Sequence, residues 1–70
     1  MKNEALIERR HSANMTIKDV AFQAGITATG YLYYEQGKRK PSVDIAIRIA
    51  HALGVFDFKG FKCLWQFSNC

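Results

Sequence analysis

Three consecutive cations, Lys38, Arg39 and Lys40, follow directly on a segment that presents the hydroxyls of Thr27, Thr29 and Tyr33. Lysine and arginine neutralise phosphates, whereas threonine and tyrosine hydroxyls can bond phosphate oxygens or base edges. The methyls of Thr27, Ala28 and Thr29 can also touch a thymine methyl. This combination suits contact with a nucleic acid better than it suits a reaction. The chain has no paired-carboxylate constellation, no glycine-rich phosphate cradle after a strand, and no Cys or Ser beside a clear His base. No catalytic residue is therefore expected. His11, His51, Cys63 and Cys70 follow no common zinc spacing, so neither a metal nor another cofactor is expected. Taken alone, the basic run could be an ordinary solvated loop. The elements around it decide.

For these side chains to act together, Thr16 to Pro41 must fold as two short helices joined by a tight turn. Thr16 can cap the first of them, with Asp19 three residues on completing an approximate capping box. Val20, Ala21 and Ala24 make its inward stripe. Ala21 is small enough for close helix packing, and Gly25 can take the left-handed backbone that ends the helix and redirects the chain. Thr27 caps the second helix, whose inward positions are Tyr31 and Tyr34, and Gly37 ends it. Two helices meeting through such a turn form a helix-turn-helix, whose second helix can enter a major groove. An earlier helix is expected from about Asn3 or Glu4 to His11, with Asn3 as its N-cap. A later one runs from about Val43 to Leu53, between Pro41-Ser42 and Gly54, with Val43, Ala46, Ile49, Ala50 and Leu53 turned inward.

Seventy residues make one domain near the lower limit for a single hydrophobic core. Apolar content of 49% is that of a globular chain, and a net charge of +4 with a pI near 9.3 favours polyanionic partners. No signal peptide and no membrane-length apolar run is visible, so a reducing cytoplasm is the expected setting. Cys63 and Cys70 would close only a short terminal loop. The aromatic tail from Phe56 can be drawn as a helix capped by Asp57, aligning Phe58, Phe61 and Trp65. It can also be drawn as strands interrupted at Gly60. A short helix from Asp57 followed by an extended tail is the favoured version.

These residues resemble the Cro/repressor-type (XRE-like) helix-turn-helix family. The resemblance runs from about Leu6 to Val55 without a gap. It rests on Arg10, Met15-Thr16, Val20-Ala21, Gly25-Ile26-Thr27, Glu35, Gly37, Pro41-Ser42, Ile49-Ala50 and Leu53-Gly54-Val55. It implies an all-α, four- to five-helix, lambda-repressor-like domain over residues 1–55, with residues 56–70 as an aromatic tail that completes the core or dimerises. It further implies that Thr16, Thr27, Ala28, Thr29 and Tyr33 meet double-stranded DNA, that Lys38, Arg39 and Lys40 meet phosphates, and that Arg10 pairs with Glu35.

Three positions depart from the family pattern. Ile17 stands where many relatives place a phosphate-binding Gln, Ala28 where a strong base reader often stands, and Gly30 lies inside the second helix of the motif at a cost of about 1 kcal/mol. Modest base discrimination, some thymine preference and a large phosphate contribution are expected in consequence.

The tail carries more apolar surface than so small a domain easily covers, and Ile45 and Ile47 lie off the main inward stripe of their helix. A homodimer built on Ile45, Ile47, Phe58, Phe61 and Trp65 is the expected use of that excess, ahead of membrane docking. The overall expectation is a dimeric transcriptional repressor of bacterial or phage origin with no evident small-molecule ligand. The alternatives are an antitoxin-type autoregulator, a restriction-modification controller, or a protein-interaction module on a helix-turn-helix scaffold with little DNA readout.

Overall fold

A computed structural model of the chain describes residues 2–65. Five helices follow in order: α1 (Glu4–Ser12), α2 (Ile17–Ala24), α3 (Ala28–Glu35), α4 (Val43–Ala52) and α5 (Phe58–Trp65). No strand occurs among the described residues.

Each helix starts where a short polar side chain can satisfy its free N–H groups. Asn3, Thr16, Thr27 and Ser42 accept from the backbone N–H three residues on, and Asp57 does the same for Gly60 at 2.7 Å. At Thr16 the capping box is complete, since Asp19 accepts in return from the Thr16 N–H at 3.0 Å. That bond holds the Asp19 carboxyl below its usual range, because the cap favours the charged form. Gly25 ends α2 at a φ of 73°, as the tight turn requires. The break after α1 uses Asn14 instead, at a φ of 60°, a conformation asparagine tolerates better than most residues.

The core is Leu6 from α1; Val20, Ala21 and Ala24 from α2; Tyr31 from α3; Ile49, Ala50, Leu53 and Val55 from α4 and its exit; and Leu64 from α5. Leu6, Val20 and Ile49 are fully buried, each contributing about 1.5–3 kcal/mol by leaving water. Ala21 is 2% exposed, consistent with the close approach of α2 to its neighbours.

One inward assignment needs correction. Val43 is 69% exposed, because as the first residue of α4 it projects ahead of the Ala46–Ile49–Ala50–Leu53 face that meets the core. Phe58 is 73% exposed, in the first turn of α5, with the Lys62 Nζ 5.2 Å from its ring centroid. The inward face of α5 is Phe61, Leu64 and Trp65. The helical version of the tail is the one the chain adopts up to Trp65. A Cβ at Gly60 would stand 2.9 Å from both Asp57 Oδ1 and Val55 Cγ1, so this glycine seats the helix start rather than interrupting strands. The extended tail expected after it, and Cys70, lie outside the described residues.

Candidate nucleic-acid interface

The C-terminal half of α3 is anchored from below. Tyr31 is fully buried and Glu35 is 4% exposed, an unusual position for a carboxylate. Arg10 of α1 answers it: its Nε donates to Glu35 Oε2 at 2.6 Å and its Nη2 to Oε1 at 3.3 Å, while Nη1 donates to the Met15 carbonyl at 3.1 Å. The two-point bond raises the guanidinium pKa above its ordinary value, so Arg10 stays charged at any physiological pH. The Tyr31 hydroxyl lies in the same pocket without a hydrogen bond. Burial, followed by the neighbouring Glu35 carboxylate, pushes its pKa far up. Asn3 adds a second tie, its backbone N–H bonding the Glu35 carbonyl at 2.7 Å and its side-chain amide the Leu64 carbonyl at 2.9 Å. α1, α3 and α5 are thereby fixed to one another.

The outer side of α3 is free. Thr27 and Thr29 are exposed, and Tyr33 is 37% exposed. Ala28 is half-buried and packs partly against the core, leaving less of its methyl to offer a base. Thr27 Oγ accepts from the Gly30 N–H at 3.0 Å, so its lone pair is engaged while its hydroxyl hydrogen can still donate. Thr16 is in the same position at the start of α2. Past Glu35 the chain closes α3 with Gly37 N–H to the Tyr34 carbonyl and Lys38 N–H to the Tyr33 carbonyl. That closure sets Lys38 beside Tyr33, its Nζ 5.9 Å from the ring centroid. Lys38, Arg39 and Lys40 are all exposed and have no ion-pair partner among the described residues.

Thr27, Thr29, Tyr33 and the three loop cations thus share the outer side of α3 and its exit, while Thr16 stands apart at the head of α2. Leu32 and Gln36, half-buried and at helical spacing from Thr29 and Tyr33, join this face. Their helical spacing places them there, although neither carries the hydroxyl or charge that marks the other members of this face. Ile45, Phe61 and Trp65 pack against the core, whereas Ile47 is 41% exposed.

A helix-turn-helix with a rigidly held second helix, a free outer face and a basic exit loop defines a class of DNA-binding domain. The family model described as Helix-turn-helix matches residues 6–55, and the chain belongs to this family, of the Cro/C1 (XRE-like) type. Its members are DNA-binding transcriptional regulators and generally not enzymes. No curated protein and no solved structure matches the chain. No helix among the described residues is long and apolar enough to cross a membrane.

Proposed function

We propose that this chain is a sequence-specific transcriptional regulator that binds a palindromic operator as a dimer and represses by occupying the DNA. The observation that carries the reading is the division of α3. Tyr31 and Glu35 are locked into the core, while Thr29 and Tyr33 stand outward beside three cations that have no ion-pair partner among the described residues. Thr27, Ala28, Thr29 and Tyr33 would face the groove. Thr16 and Lys38 to Lys40 would meet phosphates. With no Arg or Asn on this face, and Gln36 only at its far end, base discrimination would rest on hydroxyls and methyl contacts, so phosphate binding would supply most of the affinity.

The size of the chain supports a dimer on a two-part operator. The longest extent of the molecule is 28 Å, shorter than the 34 Å or so that separates successive half-sites on one side of DNA. One chain reads one half-site. For the contact between copies, the exposed Ile47 and Phe58 are the stronger members of the expected set, joined by Val43 one turn before Ile47. Ile45, Phe61 and Trp65 would support that surface from beneath. The expected setting is a bacterial or phage-infected cytoplasm.

Selection of bound sequences from a random DNA pool at two salt concentrations tests the reading. An enriched inverted repeat is expected, with half-sites about one turn apart. Recovery without enrichment would leave backbone binding alone, and no recovery at either salt would favour the protein-interaction module. Sedimentation of the free chain tests the dimer separately: monomer at micromolar concentration with intact helices would remove it.

A further inference from the structure

Leu32 is an apolar side chain on the outer face of α3 that the core does not use. It is half-buried, yet it stands apart from the partly buried hydrophobic residues packed against the core, which include its neighbours Ala28 and Tyr34. A single half-exposed leucine is ordinary. Its place distinguishes this one. Helical spacing sets it one turn from Ala28 on one side and from Gln36 on the other, with Thr29 three residues before it. Ala28, Thr29 and Leu32 thus line up their methyl groups over about 6 Å of helix. At the end of that helix, Lys38, Arg39 and Lys40 bring the same face to a polyanion.

Double-stranded DNA offers such a strip one apolar group in its major groove, the methyl on C5 of a pyrimidine. Thymine always carries it, and cytosine carries it when methylated. Beside the methyl the two bases differ, thymine showing O4, an acceptor, and cytosine its N4 amino group, a donor. Arg or Lys, which only donate, would accept the first and reject the second, and a carboxylate would do the reverse. Neither stands next to Leu32. The polar groups there are the Thr29 hydroxyl and the Gln36 amide, each able to donate or accept. A methyl contact flanked by groups that suit either edge selects the methyl and tolerates either base that bears it.

Resting on the reading of α3 as the groove-facing helix, we infer that Leu32 is a specificity-determining residue that recognises the C5 methyl of a pyrimidine. In the bound DNA, 5-methylcytosine can therefore stand in for thymine. Because Ala28 is packed partly against the core, Leu32 supplies the larger share of this apolar contact. Methylation of a cytosine at that position would raise affinity with no change of sequence.

The probe is the duplex enriched from a random pool by the full chain, altered at each thymine of one half-site in turn. The thymine·adenine pair is kept, changed to uracil·adenine, or replaced by cytosine·guanine with and without the 5-methyl group. At one position uracil should weaken binding about fourfold, the effect of returning one methyl group to water. There 5-methylcytosine should bind about fourfold more tightly than cytosine. Leu32→Ala should close both gaps, and Leu32→Met, which keeps the apolar reach, should preserve them. A Leu32 that served only the fold would leave both gaps in place when truncated. An enriched half-site without thymine, equal binding of thymine and uracil duplexes at every position, equal binding of cytosine and 5-methylcytosine, or gaps that survive Leu32→Ala would overturn the inference and leave operator binding standing. A chain that bound no duplex, or all duplexes alike, would overturn the proposed function and this inference with it.

Discussion

The two sides of α3 are built on opposite terms. The inner side spends its polar groups on the fold: Glu35 is buried and doubly bonded by Arg10, and Tyr31 is sealed beside them. The outer side and the loop beyond it commit little to the fold, with Thr29 and Tyr33 exposed and Lys38 to Lys40 forming no ion pairs among the described residues. On the proposed function, stability and recognition would be carried by different residues of one eight-residue helix. Substitutions on one side should move stability with little direct effect on recognition, and those on the other should do the reverse.

The largest effect belongs to the inner side. Arg10→Ala or Glu35→Ala should each cost about 3–5 kcal/mol, because the surviving charge is left without its partner. For a small domain that is much of the total stability. Arg10→Met combined with Glu35→Leu should recover most of the loss, since no charge then remains buried. Urea melts at neutral pH measure all three. A cost below about 1 kcal/mol for both single changes would mean that the pair behaves as a surface bridge and does not anchor α3.

The outer side should answer in DNA binding alone. Lys38→Ala with Lys40→Ala should weaken binding to every sequence and lower the slope of log affinity against log salt by about 2. Tyr33→Ala should instead erase discrimination at one base position, worth about 1–3 kcal/mol. Both variants should melt within about 0.5 kcal/mol of the parent. Because Lys38 lies over the Tyr33 ring, the two sets of changes should not be strictly additive. A matched operator and a scrambled duplex, titrated across salt, separate these outcomes.

Much of this division was legible in the residues. The caps at Asn3, Thr16, Thr27 and Ser42 and the glycine stops at Gly25, Gly37 and Gly54 are local chemistry, and local chemistry shows in sequence. The core of α2 and most of α4 followed from helical spacing. The misplacement falls at a helix start. Val43 has the right spacing to face inward, but the spacing does not reveal where along a helix the neighbouring elements begin to cover it. The 85% exposure of Phe22 was hidden for a related reason: whether α4 covers an apolar residue on α2 depends on tertiary packing. The third bond of Asn3, to the Leu64 carbonyl, joins positions 61 residues apart and has no local signature at all.

Tyr31 tests how dry the inner side is. Its raised pKa means that below about pH 10 the folded and unfolded chains are alike at this residue. Above that, the unfolded tyrosine ionises while the folded one stays neutral, so stability should fall by about 1.4 kcal/mol per pH unit from this group. Tyr31→Phe removes the contribution, and the difference between its melts and the parent's should open only on the alkaline side. Near neutrality the same change deletes a buried hydroxyl that has no hydrogen bond, and should be neutral or stabilising by up to about 1 kcal/mol. A clear loss at pH 7 would instead show that the hydroxyl supports the Arg10–Glu35 pair.

Gly30 lies between the two sides and should give the smallest net effect. Alanine inside a helix is worth about 1 kcal/mol over glycine. Here, however, the new Cβ would stand 3.0 Å from Thr27 Oγ, the atom that accepts from the Gly30 N–H. Turning Thr27 away to make room weakens a cap worth about 1 kcal/mol. Gly30→Ala should therefore change stability by less than about 0.5 kcal/mol, two opposing terms nearly cancelling. In a Thr27→Gly background, where no hydroxyl is in the way, the same substitution should stabilise by close to the full 1 kcal/mol. The double-mutant cycle isolates the coupling. If Gly30→Ala alone gains the full amount, the cap tolerates a methyl, and the glycine belongs to the outer side, where it would let the backbone approach DNA. DNA affinity of that variant then decides: a loss would move Gly30 across the division from the fold to the interface.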